Sequence, residues 1–242
     1  MYKAFLLKKQ RNYGNKGNYL SKKRFHCIFS IYIRAVEKID DKFQQILMGA
    51  LDVFMKYGIR SVTMDDLARH LGVSKKTIYK YVSDKKELVH KGMEYHHQLE
   101  VCAIDRCVQQ KLNAIDENFE ISKVIVDQLK NVHPSVMYDL QKYYPEAMSS
   151  FQKYKMTVVK DWVSSNMQRG IEQGLYRNDL NIPILTSVYI ARMDDFFNRD
   201  LFPEEIPSSE IYMEVFRYHI RGLASEKGIT YLKEKVKNTQ TR

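Results

Sequence analysis

The chain has 242 residues, with 39 Lys or Arg against 29 Asp or Glu and a formal charge of +10, long enough to bury a sizeable core in one domain or two. Five Pro and ten Gly, with few alternating apolar runs, point to a mainly helical protein, and no apolar run approaches the ~20 residues needed to cross a bilayer. Cys27, Cys102 and Cys107 follow no disulfide or metal-binding spacing, which excludes a disulfide framework and suits a reducing cytoplasm.

The charge is unevenly spread. Residues 1–38 hold ten Lys or Arg and a single acid, Glu37, so the other 204 residues sum to about +1. This basic extension has three readings. It could be an arm adding phosphate contacts or entering a minor groove. It could be a secretory signal, since Lys22-Lys23-Arg24 precedes the apolar stretch Phe25 to Ile33; no small-residue cleavage site follows, which counts against it. Or it could be sequence translated from a start upstream of the native one, with Val36-Glu37-Lys38-Ile39 as the natural beginning.

A first helix is expected from about Asp40 to Tyr57, with Phe43, Ile46, Leu47, Ala50, Leu51 and Phe54 on one face and Gly58 ending it. Next comes TMDDLARHLGVSKKTIYKYVSDKK, residues 63–86. Thr63 can cap a helix, with Asp66 completing a capping box. Leu67, Ala68 and Leu71 repeat at helical spacing. Gly72 suits the left-handed turn that stops a helix, and Ser74 caps the next one. Ala68, Gly72 and Ile78 let two helices cross closely about a short turn. With Ile78 facing inward, the second helix presents Lys75, Lys76, Thr77, Tyr79 and Lys80 to solvent, with Tyr81 at its flank. Long cations, a hydroxyl and phenols are the groups that reach phosphates and base edges from a helix in the major groove. From Arg69 to Lys91 seven Lys or Arg face only Asp84 and Glu87. An ordinary solvated helix pair is the alternative; it leaves this turn register unexplained.

These residues resemble the TetR family of bacterial transcriptional regulators. The resemblance rests on Thr63, Leu67-Ala68, Leu71-Gly72-Val73, Lys75, Thr77-Ile78-Tyr79, Tyr81-Val82 and Lys85-Lys86-Glu87-Leu88, with helix 1 matching in ILMGALDVFMKYGIRSVTM. It departs at Val82, where the family commonly has Phe. The resemblance implies an all-α protein: a three-helix DNA-binding head on a helical ligand-binding and dimerising body. The division expected is 1–38 extension, 39–92 head and 93–242 effector-binding and dimerisation body. DNA contacts are expected from Thr63, Lys75, Lys76, Thr77, Tyr79, Lys80, Tyr81 and, as a phosphate contact, Lys85.

Beyond the head, Ser83 is expected to cap a long fourth helix from Asp84 to about Leu112, its inner side carrying Leu88, Gly92, His96, Leu99 and Ala103. Helices should follow at about 117–132, from Pro134 through Tyr143, and from Pro145 to about Gln173, stopped by Gly174. The last has Met148, Phe151, Lys155, Val158 and Trp162 near one side. Residues 184–197 are apolar on nearly every side and need cover all round. Ser209 starts a final amphipathic helix with Ile211, Val215, Phe216, His219, Ile220 and Leu223. Pairing of these two helices with the same pair of a second copy would give a two-fold homodimer interface.

Other constellations are weak. Cys102 and Cys107 lie about 140° apart around a helix and make a poor metal pair, and His96 with Glu100 on one face gives only two ligands. No phosphate loop, dinucleotide pattern or nucleophile elbow occurs, so no catalytic residue, metal or cofactor is expected. Tyr138, Phe151, Tyr154, Trp162, Tyr189 and Met193 lie on the helices that enclose a cavity in TetR-like proteins and are candidates for an effector pocket, with core packing as the alternative for each. The expectation is a cytoplasmic, ligand-responsive repressor and not an enzyme, binding a pseudo-palindromic double-stranded DNA operator as a homodimer, with an unknown small-molecule effector and no membrane partner. The alternative is a nucleoid-associated or RNA-binding protein using the basic arm.

Overall fold

The computed structural model describes residues 40–198, 201–203 and 205–240, so the basic extension lies outside the described residues. The described residues form an all-helical fold whose only β feature is an isolated bridge between Tyr176 and Ala224. No helix among them is long and apolar enough to cross a membrane.

Helix α1 spans Asp41–Tyr57, and the Asp40 carboxylate accepts from the Lys42 and Phe43 amides at its start. Gly58, at φ 84°, ends it. Helices α2 (Met64–His70) and α3 (Lys75–Ile78) follow. The head closes on a core of Ile46, Leu47, Ala50, Phe54, Leu67, Ala68, Ile78 and Val82.

Helix α4 (Lys85–Val108) joins the head to the rest. Its first half gives Leu88, Val89, Met93 and Tyr95 to the head core, and its second half gives Val101, Ile104 and Cys107 to the body core. Asp84, not Ser83, caps this helix by accepting from the Glu87 amide. The Ser83 hydroxyl instead donates back to Glu87 at 2.8 Å.

The body comprises α5 (Ala114–Leu129), α6 (Ser135–Tyr143), α7 (Pro145–Tyr154), α8 (Lys160–Glu172), α9 (Ile182–Arg192), α10 (Ser208–Leu223) and α11 (Glu226–Gln240). Helix α6 docks on the head: the Asp139 carboxylate accepts from the Arg60 amide at 2.9 Å, and the Arg60 guanidinium donates to the Tyr143 hydroxyl at 2.7 Å. The single long helix expected from Pro145 is broken into α7 and α8 by a π-helical segment, Lys155–Val159. Such bulges shift helix register and cluster at functional sites. Gly174, at φ 69°, stops α8. The expected helix over 184–197 ends at Arg192, with a 3-10 turn at Asp195–Phe197.

Sequence periodicity did not reveal α11. It is held by the Lys235 ammonium on Asp116 at 2.6 Å and by the Tyr231 hydroxyl on the same carboxylate at 2.5 Å. Deep in the body, Asn166, Arg169 and Tyr176 meet Glu117 and Asn118 in a buried polar network.

Candidate functional site

The reading head is built by its caps. Thr63 accepts from the Asp66 amide at 3.1 Å while the Asp66 carboxylate accepts from the Thr63 amide at 3.0 Å, satisfying two otherwise orphaned donors. The same carboxylate takes the Thr63 hydroxyl proton at 2.6 Å, and these bonds hold the Asp66 carboxyl below its usual range. Thr63 is thus committed to its cap. After the left-handed Gly72 (φ 62°), Ser74 caps α3 by accepting from the Thr77 amide at 3.0 Å, and the two hydroxyls share a hydrogen bond at 2.8 Å.

That cap points one face of α3 outward. Lys75, Lys76, Tyr79 and Lys80 are exposed and Thr77 is half-buried, while Ile78 is completely buried. Lys75 is paired with Asp65 at 2.9 Å, a bond that raises its pKa. Among the described residues, Lys76 and Lys80 have no acidic partner. Tyr81 is fixed from behind: its ring stacks on Phe43 at 4.9 Å, and its hydroxyl donates to Asp40 at 3.0 Å, which raises the phenol's pKa.

The structure corrects the expectation for Lys85. Its ammonium turns inward, donating to the carbonyls of Ile59 at 2.6 Å, Val62 at 2.5 Å and Arg60 at 3.4 Å. Burial lowers its pKa. It ties the α1–α2 loop to the start of α4 and is not presented as a free phosphate contact.

In the body, Tyr138 is also corrected. It is 54% exposed on α6, where its hydroxyl accepts from Lys142 at 2.6 Å, and it lines no interior space. Phe151 and Tyr154 both stack on His97, at 5.7 and 4.7 Å. Met193, at the end of α9, joins two of the core clusters. The Tyr189 ring lies 5.1 Å from that of His219, and its hydroxyl shares a hydrogen bond with Tyr212. Trp162 is buried in the same body core, with no hydrogen-bond partner for its indole N–H.

Sequence reasoning missed what these rings surround. Glu100 on α4 lies near the Tyr154 hydroxyl, and its charge is felt by Tyr189 and Tyr212. Burial pushes its carboxyl up to about 7, against the small lowering from Tyr154. Burial also pulls His97 down to about 3, helped by His96, and His219 down to about 4, helped by Arg192. It lowers His96 too, raises Tyr189 to about 12, and raises Tyr212 well above the usual phenol range.

His96 Nδ1, His97 Nε2 and Thr186 Oγ1 are buried without a hydrogen-bond partner in the protein. His96, Glu100 and Tyr189 lie deep in the body yet keep part of their surface accessible. Beside them, the Lys155 ammonium, 2% exposed, is held by both Asp194 oxygens at 2.6 Å. The signal available in the sequence was polar residues at inward-facing helical positions, His96, Lys155 and His219.

The outer face of α9 is apolar and open. Ile184 is 59% and Val188 45% exposed, and Tyr218 of α10 is 73% exposed. Ile220, by contrast, is 2% exposed and belongs to the core of its own subunit, which corrects its assignment to the interface.

Residues 46–91 match the family model described as bacterial regulatory proteins, tetR family. No curated protein matches the sequence. Among solved structures, reduced E. coli NemR is 13% identical and aligns over 77% of this chain and 98% of its own, with a TM-score of 0.63. A putative transcriptional regulator from Saccharomonospora viridis, in complex with choline, is 18% identical over 76% of this chain and 97% of its own, at 0.57. The fatty acid degradation regulator FadR from Bacillus halodurans is 15% identical over 76% and 96%, at 0.58. At these identities the structures establish the fold, and the family match is confined to the head. Residues 46–91 thus match the DNA-binding head of bacterial regulatory proteins of the tetR family, and the rest of the chain shares the all-helical fold of the solved regulators.

Proposed function

We propose that the protein is a ligand-responsive repressor that binds a pseudo-palindromic operator as a homodimer. The observation that carries this reading is the outward face of α3 and the turn that follows it, where Lys75, Lys76, Tyr79 and Lys80 stand exposed on a segment whose start is capped by Ser74. Each head would set this face in the major groove, with Lys76 and Lys80 free to reach phosphates and Thr77 and Tyr79 facing base edges. One such helix reads too few base pairs for specificity, so two heads on successive grooves are needed. The apolar outer face of α9, with Ile184 and Val188, together with Tyr218 on α10, would be covered by the same face of a second copy about a two-fold axis.

An effector acts by binding the arrangement of heads that does not fit the operator more tightly than the one that does. Helix α4 is the physical link, because its two halves belong to the head core and the body core. The effector site is assigned to the interior around Glu100, Phe151, Tyr154, Tyr189 and Met193. The solved relative holding choline gives a precedent for a small molecule in a protein of this fold. The test is mobility shift and footprinting on the promoter fragments nearest the protein's own coding sequence. Two protected half-sites about one helical turn apart are expected, and sequence-independent coating would reject the reading.

A further inference from the structure

Resting on the regulator reading, we propose that the basic N-terminal extension is a second DNA-binding element. It is an arm rooted beside the α3 face, whose cations take the backbone phosphates flanking each half-site.

The root is a built contact. Asp40, where the described chain begins, accepts on one carboxylate oxygen from the Lys42 amide at 3.0 Å, the Phe43 amide at 3.1 Å and the Tyr81 hydroxyl at 3.0 Å. The Phe43 and Tyr81 rings are parallel, with centroids 4.9 Å apart. The Lys91 ammonium stands 5.5 Å over Phe43 and donates to the Tyr81 carbonyl at 3.3 Å. Tyr81 follows directly on the exposed Tyr79 and Lys80. Whatever precedes Asp40 therefore starts one side chain away from the segment that ends the reading face.

That face is short of charge for its task. Lys75 pairs with Asp65 at 2.9 Å, Arg69 pairs with Asp66 at 3.5 Å, and Lys85 turns into the carbonyls of the α1–α2 loop. Lys76 and Lys80 are left, about four cations across two heads, where DNA-bound proteins commonly engage roughly 6–10 phosphates. Residues 1–38 carry ten Lys or Arg and one acid. A surplus of that sign beside a basic face is self-repelling in the free protein and is relieved by a polyanion that both can share.

Duplex DNA is the polyanion that the root selects. Once α3 is seated, the arm meets the same duplex at high effective concentration; an acidic protein or a membrane gains nothing from this tether. Arg34 lies six residues before Asp40, a reach of at most about 20 Å, and Lys22-Lys23-Arg24 can reach up to about 60 Å, past the next ~34 Å turn of the helix. Phosphates carry no sequence information, so the arm adds affinity and salt dependence and leaves the choice of site to α3.

The experiment compares the full chain with a full-length variant in which the ten cations of residues 1–38 are exchanged for Gln, from Lys3→Gln to Lys38→Gln. Binding to a footprinted operator fragment and to a random duplex is followed by fluorescence anisotropy from 50 to 200 mM salt, with circular dichroism on both forms. The log–log salt slope of the variant should be shallower by at least about 3, so that the full chain loses about sixtyfold more affinity across that range. The ratio of operator to random affinity should stay the same. Hydroxyl-radical footprints should shrink at the flanks of each half-site and keep their centres. Equal slopes, or unchanged footprints, with operator selectivity intact overturn this inference alone. Loss of selectivity in the variant overturns it too, because the arm would then be reading bases. Absence of a preferred site in both forms defeats the regulator reading, and the placement of the arm falls with it.

Discussion

Replacing Lys85 with Met separates a structural role from a DNA contact. The methionine keeps most of the apolar stem and deletes the ammonium, so the carbonyls of Ile59 and Val62 lose donors at 2.6 and 2.5 Å and that of Arg60 a longer one at 3.4 Å. Hydrogen bonds to a charged group contribute roughly 1.5–3 kcal/mol each, and buried carbonyls left unpaired add a desolvation cost. Against this stands the cost of burying the ammonium itself, visible in its lowered pKa. The net loss expected is about 2–3 kcal/mol. At roughly 2–4 °C per kcal/mol for a chain of this size, the melting temperature should fall by about 5–10 °C. Differential scanning calorimetry measures this directly. Below the new transition, the dependence of DNA affinity on salt should keep its slope, because no phosphate contact has gone. An unchanged melting temperature with a slope reduced by about one unit would refute the inward assignment and return Lys85 to the DNA backbone.

Tyr79→Ala, at a 43% exposed position, should weaken operator binding while leaving stability within about 0.5 kcal/mol; mobility shift beside calorimetry checks both. Gly170→Ala places a methyl carbon 1.9 Å from the Tyr176 ring, whose hydroxyl is anchored by Asn118 and Asn166, so overpacking should cost about 1–3 kcal/mol by thermal melt. Glu100→Gln should stabilise the protein at pH 8 and do little at pH 4. A carboxyl raised from 4.5 to about 7 contributes stability below pH 4.5 that is lost as pH rises through 7, about 3 kcal/mol at most. A melting-temperature gain that is the same at both pH values would contradict this. Val188→Glu should yield folded monomer in sedimentation, whereas Ile220→Glu should unfold the subunit because it buries an unpaired charge.

The head was legible because its determinants are local. The Thr63–Asp66 box, the left-handed Gly72 and the Ser74 cap each act over three or four residues, and the inward position of Ile78 then sets which side chains face out. Lys85 was misread because its partners lie 23 to 26 residues away, and nothing in its neighbours signals three converging carbonyls. The π segment at Lys155 escaped notice for a similar reason. Its register shift accompanies a buried ion pair with Asp194, 39 residues on.

In the body, helical spacing found the aromatic candidates but could not say which faced one another. Tyr138 and Phe151 look alike in sequence. One ends exposed beside Lys142 and the other against His97. Glu100 was seen to share a face with His96, and only the packing of α7, α9 and α10 around that face gives it significance. Helix α11 was missed because its charged sequence hides anchors, Tyr231 and Lys235, whose partner Asp116 lies on α5.

The central claim is that the α3 face reads sequence. The most direct measurement is genome-wide mapping of fragments bound by the purified full chain at physiological salt. The account predicts a small set of sharp sites with two-fold symmetric half-sites about 10 base pairs apart, lost in Tyr79→Ala. Uniform coverage without a shared motif, unaffected by that substitution, would contradict it and favour a nucleoid-associated role.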